Sequence, residues 1–195
     1  LIKRLSPVLE SITADYEIIL VDDGSRDDSW LQMLAVRQAN AFIKAVRLSR
    51  NFGQQSAIAA GLSLTTKELI VLMDSDLQDS PDEIPELYRM IKEEDYDLVS
   101  GWKKTRHDPK LTKNLPSKLF NATARAVSGL KLHDFNCGLK AYSNAVVKSV
   151  EVYGEMHRYI PFLAKNAGFT KIGEKEVHHY ARKYGSSKFG LNRFV

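Results

Sequence analysis

The sequence predicts a doubly wound α/β domain, and three observations carry that prediction. Four short apolar runs, 17–21 (EIILV), 43–48 (IKAVRL), 69–73 (LIVLM) and 97–101 (DLVSG), have the length of strands. The first three stop at a polar or turn residue, as buried parallel strands do. Helix-length segments at 27–39, 54–64 and 82–94 separate them, and such alternation builds a mostly parallel sheet flanked by helices. Two polar clusters, DDGS and DSDLQD, follow strands directly, where sheets of this kind bind ligands.

Residues 1–12 (LIKRLSPVLESI) read as an amphipathic helix, and the strand 17–21 follows. Ser25 or Asp27 is placed to cap the helix at 27–39. The stretch Ser80-Pro81-Asp82-Glu83 opens the helix at 82–94, with proline in the first turn and acids at the positive end of the helix dipole. The second half is less regular. A helix is predicted at about 115–128 with a break at Gly129, a loop or strand through 133–142, helices near 143–150 and 155–167, and a strand near 172–179. No repeat, low-complexity tract or linker divides the chain, so a single domain is expected over 1–195.

Composition excludes several classes. Apolar residues make up 44% of the 195, enough to bury a core. The longest apolar run is Leu69–Met73, far short of the roughly 20 residues a membrane helix needs. The opening residues lack the apolar stretch and cleavage site of a signal peptide. The single cysteine, Cys137, excludes an internal disulfide framework and a multi-cysteine zinc site, and a reducing compartment fits best. The net charge of +4 is unevenly placed. Residues 103–125 carry seven lysines and arginines against Asp108 alone, and 171–195 carry six against Glu174 and Glu176. A solvated face is the ordinary explanation of such runs; an anionic partner is the functional one.

Two clusters carry candidate chemistry. Asp22-Asp23-Gly24-Ser25 would serve as a plain turn, but adjacent carboxylates at a strand end repel unless a donor or cation uses them. In Asp74-Ser75-Asp76-Leu77-Gln78-Asp79, the i, i+2 carboxylates can meet at one point after the strand, and hard divalent cations prefer such oxygen ligands. An EF-hand fails, because Asp79 stands where glycine is needed and Pro85 where glutamate is needed. A phosphatase of the haloacid dehalogenase type normally has Thr or Val where Gln78 stands. A helix-capping turn explains Asp79 or Ser80 but not Asp74 and Asp76 together.

The segments VDDGSRDDS, SRNFGQQSAIAAG, MDSDLQDSPDEIPEL, DFNCGLKAY and ARKYGSSKFG, in that order, resemble the inverting family-2 glycosyltransferases of the GT-A fold. More narrowly, they resemble the polyprenyl-phosphate sugar transferases, the group that includes dolichyl-phosphate mannose synthase and bacterial undecaprenyl-phosphate glycosyltransferases. The resemblance runs from about residue 17 to residue 190. It implies a Rossmann-like sheet with a nucleotide-sugar and metal half at about 1–101 and an acceptor half at about 102–195.

The resemblance also implies roles. Asp22, Asp23, Asn51, Gly53 and Asp74 would bind a UDP- or GDP-linked sugar, and Asp74 and Asp76, with Gln78 as a third ligand, would hold Mg²⁺ or Mn²⁺. Lys103, Lys113, Ser117 and Lys188 would bind the acceptor phosphate, with Arg182 near the pyrophosphate. Asp76 would act through the metal, and Asp134 would be a base or an orienting group. An acceptor phosphate is already ionised near neutral pH and needs little help from a base. Cys137 and His133 keep ordinary roles, a buried thiol and a surface histidine, and His178 and His179 are expected on opposite faces of a strand. Nucleic-acid binding competes for the basic runs, but no nucleic-acid module accompanies them.

The family begins with a strand reading like VVIPVYNE and ends with amphipathic and membrane helices, so the sequence is expected to come from a longer protein that works at the cytoplasmic membrane face. The resemblance implies that the first strand of the sheet lies outside this sequence. The only tryptophans, Trp30 and Trp102, lie outside any QxxRW motif, which disfavours processive synthesis.

Overall fold

A computed structural model describes residues 1–104, 115–150 and 159–180, and of 115–120 the backbone only. The elements follow the predicted order: α1 (Ile2–Ile12), β1 (Ile18–Asp22), α2 (Ser29–Ala39), β2 (Ile43–Arg47), α3 (Gln54–Ser63), β3 (Leu69–Leu72), a 3₁₀ turn (Pro81–Glu83), α4 (Ile84–Lys92), β4 (Leu98–Trp102), α5 (Leu115–Ser128), β5 (Lys140–Ser143), α6 (Asn144–Ser149), α7 (Ile160–Asn166) and β6 (Ile172–Glu176). The N-cap of α2 is Asp28, not Ser25 or Asp27; Asp27, one residue earlier, accepts the Ser29 N–H.

The strands form two groups. β1 and β2 pair in parallel, with Ile18 opposite Ile43. The other four run in the order β3-β5-β4-β6. There β4 and β6 are parallel, while β5 is antiparallel to both β3 and β4. β3, β4 and β6 therefore point one way and β5 alone is reversed. The apolar run 69–73 was expected to pair in parallel; its partner among the described residues is the reversed β5. Hydropathy cannot distinguish the two, because β5 (KAYS) lies between helices and is buried on both faces whatever its direction.

Alternation along β4 and β5 divides the core. Leu98 and Tyr142 face α6 and α7, packing on Val146, Ile160 and Ala164. Val99 and Ala141 face the other way, onto Leu87 and Ile91 of α4 with Cys137 and Leu139. α1 lays Leu5, Val8, Leu9 and Ile12, the 3–4 spacing of one helix face, against Ile18, Ile43 and Ile84.

On their remaining edges β1 and β3 have no strand partner among the described residues, and both line one cleft of about 1630 Å³. Its apolar walls come from α1, α3 and the two strands; Asp23, Asn51, Gly53, Gln54 and Asp74 line it near the strands' C-terminal ends, and Asp15, Glu17, Lys67 and Glu68 near their N-terminal ends. No helix of the described residues is long and apolar enough to cross a membrane.

Candidate active site

The turn after β1 and the loop before α3 are built around each other. The Asp23 carboxylate accepts the N–H groups of Phe52 (2.8 Å) and Gly53 (2.9 Å), one on each oxygen. Asn51 Nδ2 donates to the Asp23 carbonyl at 3.0 Å. Gly24 makes the approach possible: its φ is +68°, and a Cβ there would lie 2.6 Å from the Arg50 carbonyl carbon. Asp22, 2% exposed, accepts the Ser25 N–H on Oδ1 and pairs through Oδ2 with Arg47 Nε at 3.2 Å. Asp23, Asn51 and Gly53 are thus brought together, with Asp22 beside them. The acids find their donors within the protein, so they shape the loop that would meet a nucleotide.

The second cluster follows β3. Gln54 Nε2 donates to Asp74 Oδ1 at 2.9 Å, which ties this cluster to the first. Asp76 Oδ1 accepts the Gln78 N–H. The Gln78 side chain donates to the Tyr180 carbonyl and Tyr180 N–H returns a bond to the Gln78 carbonyl, so Gln78 staples this loop to the strand end at 177–180. Asp79 is fully buried and pairs with Lys103 Nζ at 2.7 Å. Burial raises the Asp74 carboxyl above the ordinary carboxylate range; Asp79 and Asp76 raise it further, and Lys103 and Lys140 offset only part of this.

Such crowding fits a divalent cation, which would relieve the repulsion among Asp74, Asp76 and Asp79. Among the described residues no three His, Cys, Asp or Glu side chains form a metal-holding group.

The floor of the site comes from the DFNCGLK segment. Asp134 is 2% exposed; its Oδ1 accepts the Asn136 N–H and its own N–H donates to Glu174 at 2.8 Å. Lys140 is entirely buried and donates to the Cys137 carbonyl, and burial lowers its pKa. Burial pushes the Cys137 thiol up to about 12, in keeping with an inert core residue. Gly138 presses on the first acid of the pair: a Cβ there would lie against the carboxylate, 2.9 Å from Asp74 Cγ. His133 is a surface residue, stacked on Trp102 and bonded to Glu174. His178 lies exposed beyond β6 and binds Glu83, while His179 is buried.

Lys103 is the predicted acceptor ligand whose side chain is described, and it faces Asp79 with 12% exposure. Lys113, Arg182, Lys188 and the Ser117 side chain lie outside the described residues. Sequence reasoning missed Gln54, Asp79, Gly138 and Lys140 as parts of the site. All four stand inside the quoted segments, but only the tertiary fold shows that each faces the Asp74 cluster.

The fold is that of the GT-A glycosyltransferases. It matches glucosyl-3-phosphoglycerate synthase from Mycobacterium tuberculosis in complex with uridine diphosphate, with a TM-score of 0.71 at 21% identity, covering 99% of this chain and 68% of that one. The same enzyme with Mn²⁺ and UDP-glucose gives 0.70 at 20% identity, covering 99% and 67%. Residues 2–150 match glycosyl transferase family 2, and the chain belongs to that family. It is also 38% identical over 195 residues to dodecaprenyl-phosphate galacturonate synthase from Rhizobium johnstonii. That match covers 99% of this chain and 58% of the relative, so the chain spans little more than half of the relative's length.

Proposed function

We propose that this chain is the catalytic domain of a metal-dependent inverting transferase that moves one sugar from a nucleotide donor to a polyprenyl phosphate at the cytoplasmic membrane surface. The observation that carries the reading is the joining of the two acidic turns, Asp23 to Gly53 and Gln54 to Asp74, in the lining of one cleft. A nucleoside held by the first turn would present its diphosphate to the second. The galacturonate synthase supports the polyprenyl-phosphate acceptor, and the Mn²⁺ and UDP-glucose complex supports the donor class and the metal.

Asp74 and Asp76 would hold Mg²⁺ or Mn²⁺. Bound there, the ion would neutralise charge on the departing diphosphate. An acceptor phosphate oxygen attacks the anomeric carbon on the face opposite the nucleotide. The new C–O bond forms as the bond to the diphosphate breaks, and the sugar inverts. Lys113, Ser117 and Lys188 would position the acceptor phosphate, with Arg182 near the pyrophosphate and Lys103 adding charge from beside Asp79. The burial of Asp134 and its bond to the Asn136 N–H favour an orienting role over that of a base, as a phosphate acceptor requires.

The test is calorimetry of the full-length protein with UDP- and GDP-sugars, UDP-galacturonate among them, with and without Mn²⁺, repeated with Asp76→Ala. One nucleotide is expected to bind in a metal-dependent way that the substitution abolishes. Binding of neither, or binding indifferent to both metal and mutation, overturns the reading. A hydroxyl acceptor would instead show as turnover on soluble saccharides together with a loss on Asp134→Asn of more than about a hundredfold, the scale of general-base catalysis.

A further inference from the structure

We infer that Gln54 is a positioning residue that sets the first acid of the Asp74-Ser75-Asp76 turn and so couples the nucleotide loop to the metal site. Gln54 is the first residue of α3, directly after Gly53, whose N–H is held by Asp23. Its Nε2 donates to Asp74 Oδ1 at 2.9 Å, while the Asp74 carboxylate rests against Gly138 on another side. With glycine packing on one side and an amide bond on another, the carboxylate has little freedom to rotate, and its remaining lone pairs are aimed. Gln54 and Asp74 both line the cleft. The backbone that carries Gln54 is fixed by Asp23, Asn51 and Gly24, so ordering of this loop by a nucleoside would also fix the donor on Asp74. This inference rests on the reading of Asp74 as a metal ligand.

Gln54 is exposed, and methionine keeps its length and helix propensity while removing the amide, so Gln54→Met is expected to fold normally. Two quantities are measured on the full-length protein and the variant: Mn²⁺ affinity in the presence of UDP, from the paramagnetic resonance signal of free Mn²⁺, and UDP affinity in chelator. The variant is expected to bind Mn²⁺ about tenfold more weakly, the scale of one hydrogen bond to a charged group, with metal-free UDP affinity within about twofold of wild type. Unchanged Mn²⁺ affinity overturns the inference. So does an equal loss of metal-free UDP binding, which would make Gln54 a direct nucleotide contact. If the wild type itself binds neither Mn²⁺ nor UDP, the proposed function fails first; if it binds both and the variant matches it, only the coupling fails.

Discussion

The two acidic turns lie at the ends of equally apolar strands, yet they dispose of their charge differently. After β1, Asp22 and Asp23 are met by Arg47 and by three backbone N–H groups, those of Ser25, Phe52 and Gly53. After β3, Asp79 and Asp76 both bear on Asp74, and although Lys103 pairs with Asp79, it and Lys140 leave Asp74 raised above its ordinary range. A pair of carboxylates supplied with donors shapes a loop. At the second turn repulsion on Asp74 remains, where the cation is proposed to bind.

The largest effect that would break this contrast is expected at the second turn. Asp79→Asn leaves Lys103 buried without its partner and should cost about 3 kcal/mol or more of folding stability, read as the shift in urea midpoint. A loss under about 1 kcal/mol would mean that Asp79 is no better compensated than its neighbours. At the first turn, Gly24→Ala forces a side chain into left-handed backbone 2.6 Å from Arg50; about 2 kcal/mol should be lost in thermal or chemical unfolding. Asp23→Ala removes the acceptor of two N–H groups and should cost about 1.5 kcal/mol, with nucleotide affinity falling alongside.

The sharpest test of opposite character is Asp74→Asn. A carboxyl raised in the folded state weakens folding once ionised, so removing its charge should raise the melting temperature near pH 7 while abolishing metal-dependent binding. Asp23→Ala should lower both. The smallest effect is expected just beyond the second turn, at Glu83, which binds Lys175 and the His178 backbone and ring. Burial works to raise this carboxyl, but those donors outweigh it and hold it below the ordinary value near 4.5. Its contribution is therefore present above about pH 4.5 and is lost as pH falls further. Glu83→Gln should make the acid limb of the stability curve shallower, by less than about 1 kcal/mol between pH 5 and 3.

The first half of the fold was legible because its signals are local. Strands such as EIILV and LIVLM are short apolar runs, and the helical start at Pro81 carries its own cap in Ser80. The reversal of β5 was not legible, because a strand buried on both faces looks the same in either direction. The site divides in the same way. Asp22, Asp23, Asp74 and Asp76 stand out as charge at strand ends. Gln54, Gly138 and Lys140 do not, since a glutamine opening a helix, a glycine in a loop and a lysine in a strand are each unremarkable until the fold sets them beside Asp74.

The alternation of strands and helices, the two acidic turns at strand ends and the family are all written in residues close together along the chain. Which charges are already answered is a property of the folded chain alone. That depends on Arg47 reaching Asp22, Lys103 reaching Asp79 and Gly138 pressing on Asp74, contacts across 24 to 64 positions of the chain. The strength of a charge's field is set by distance and burial in space, which linear spacing does not record.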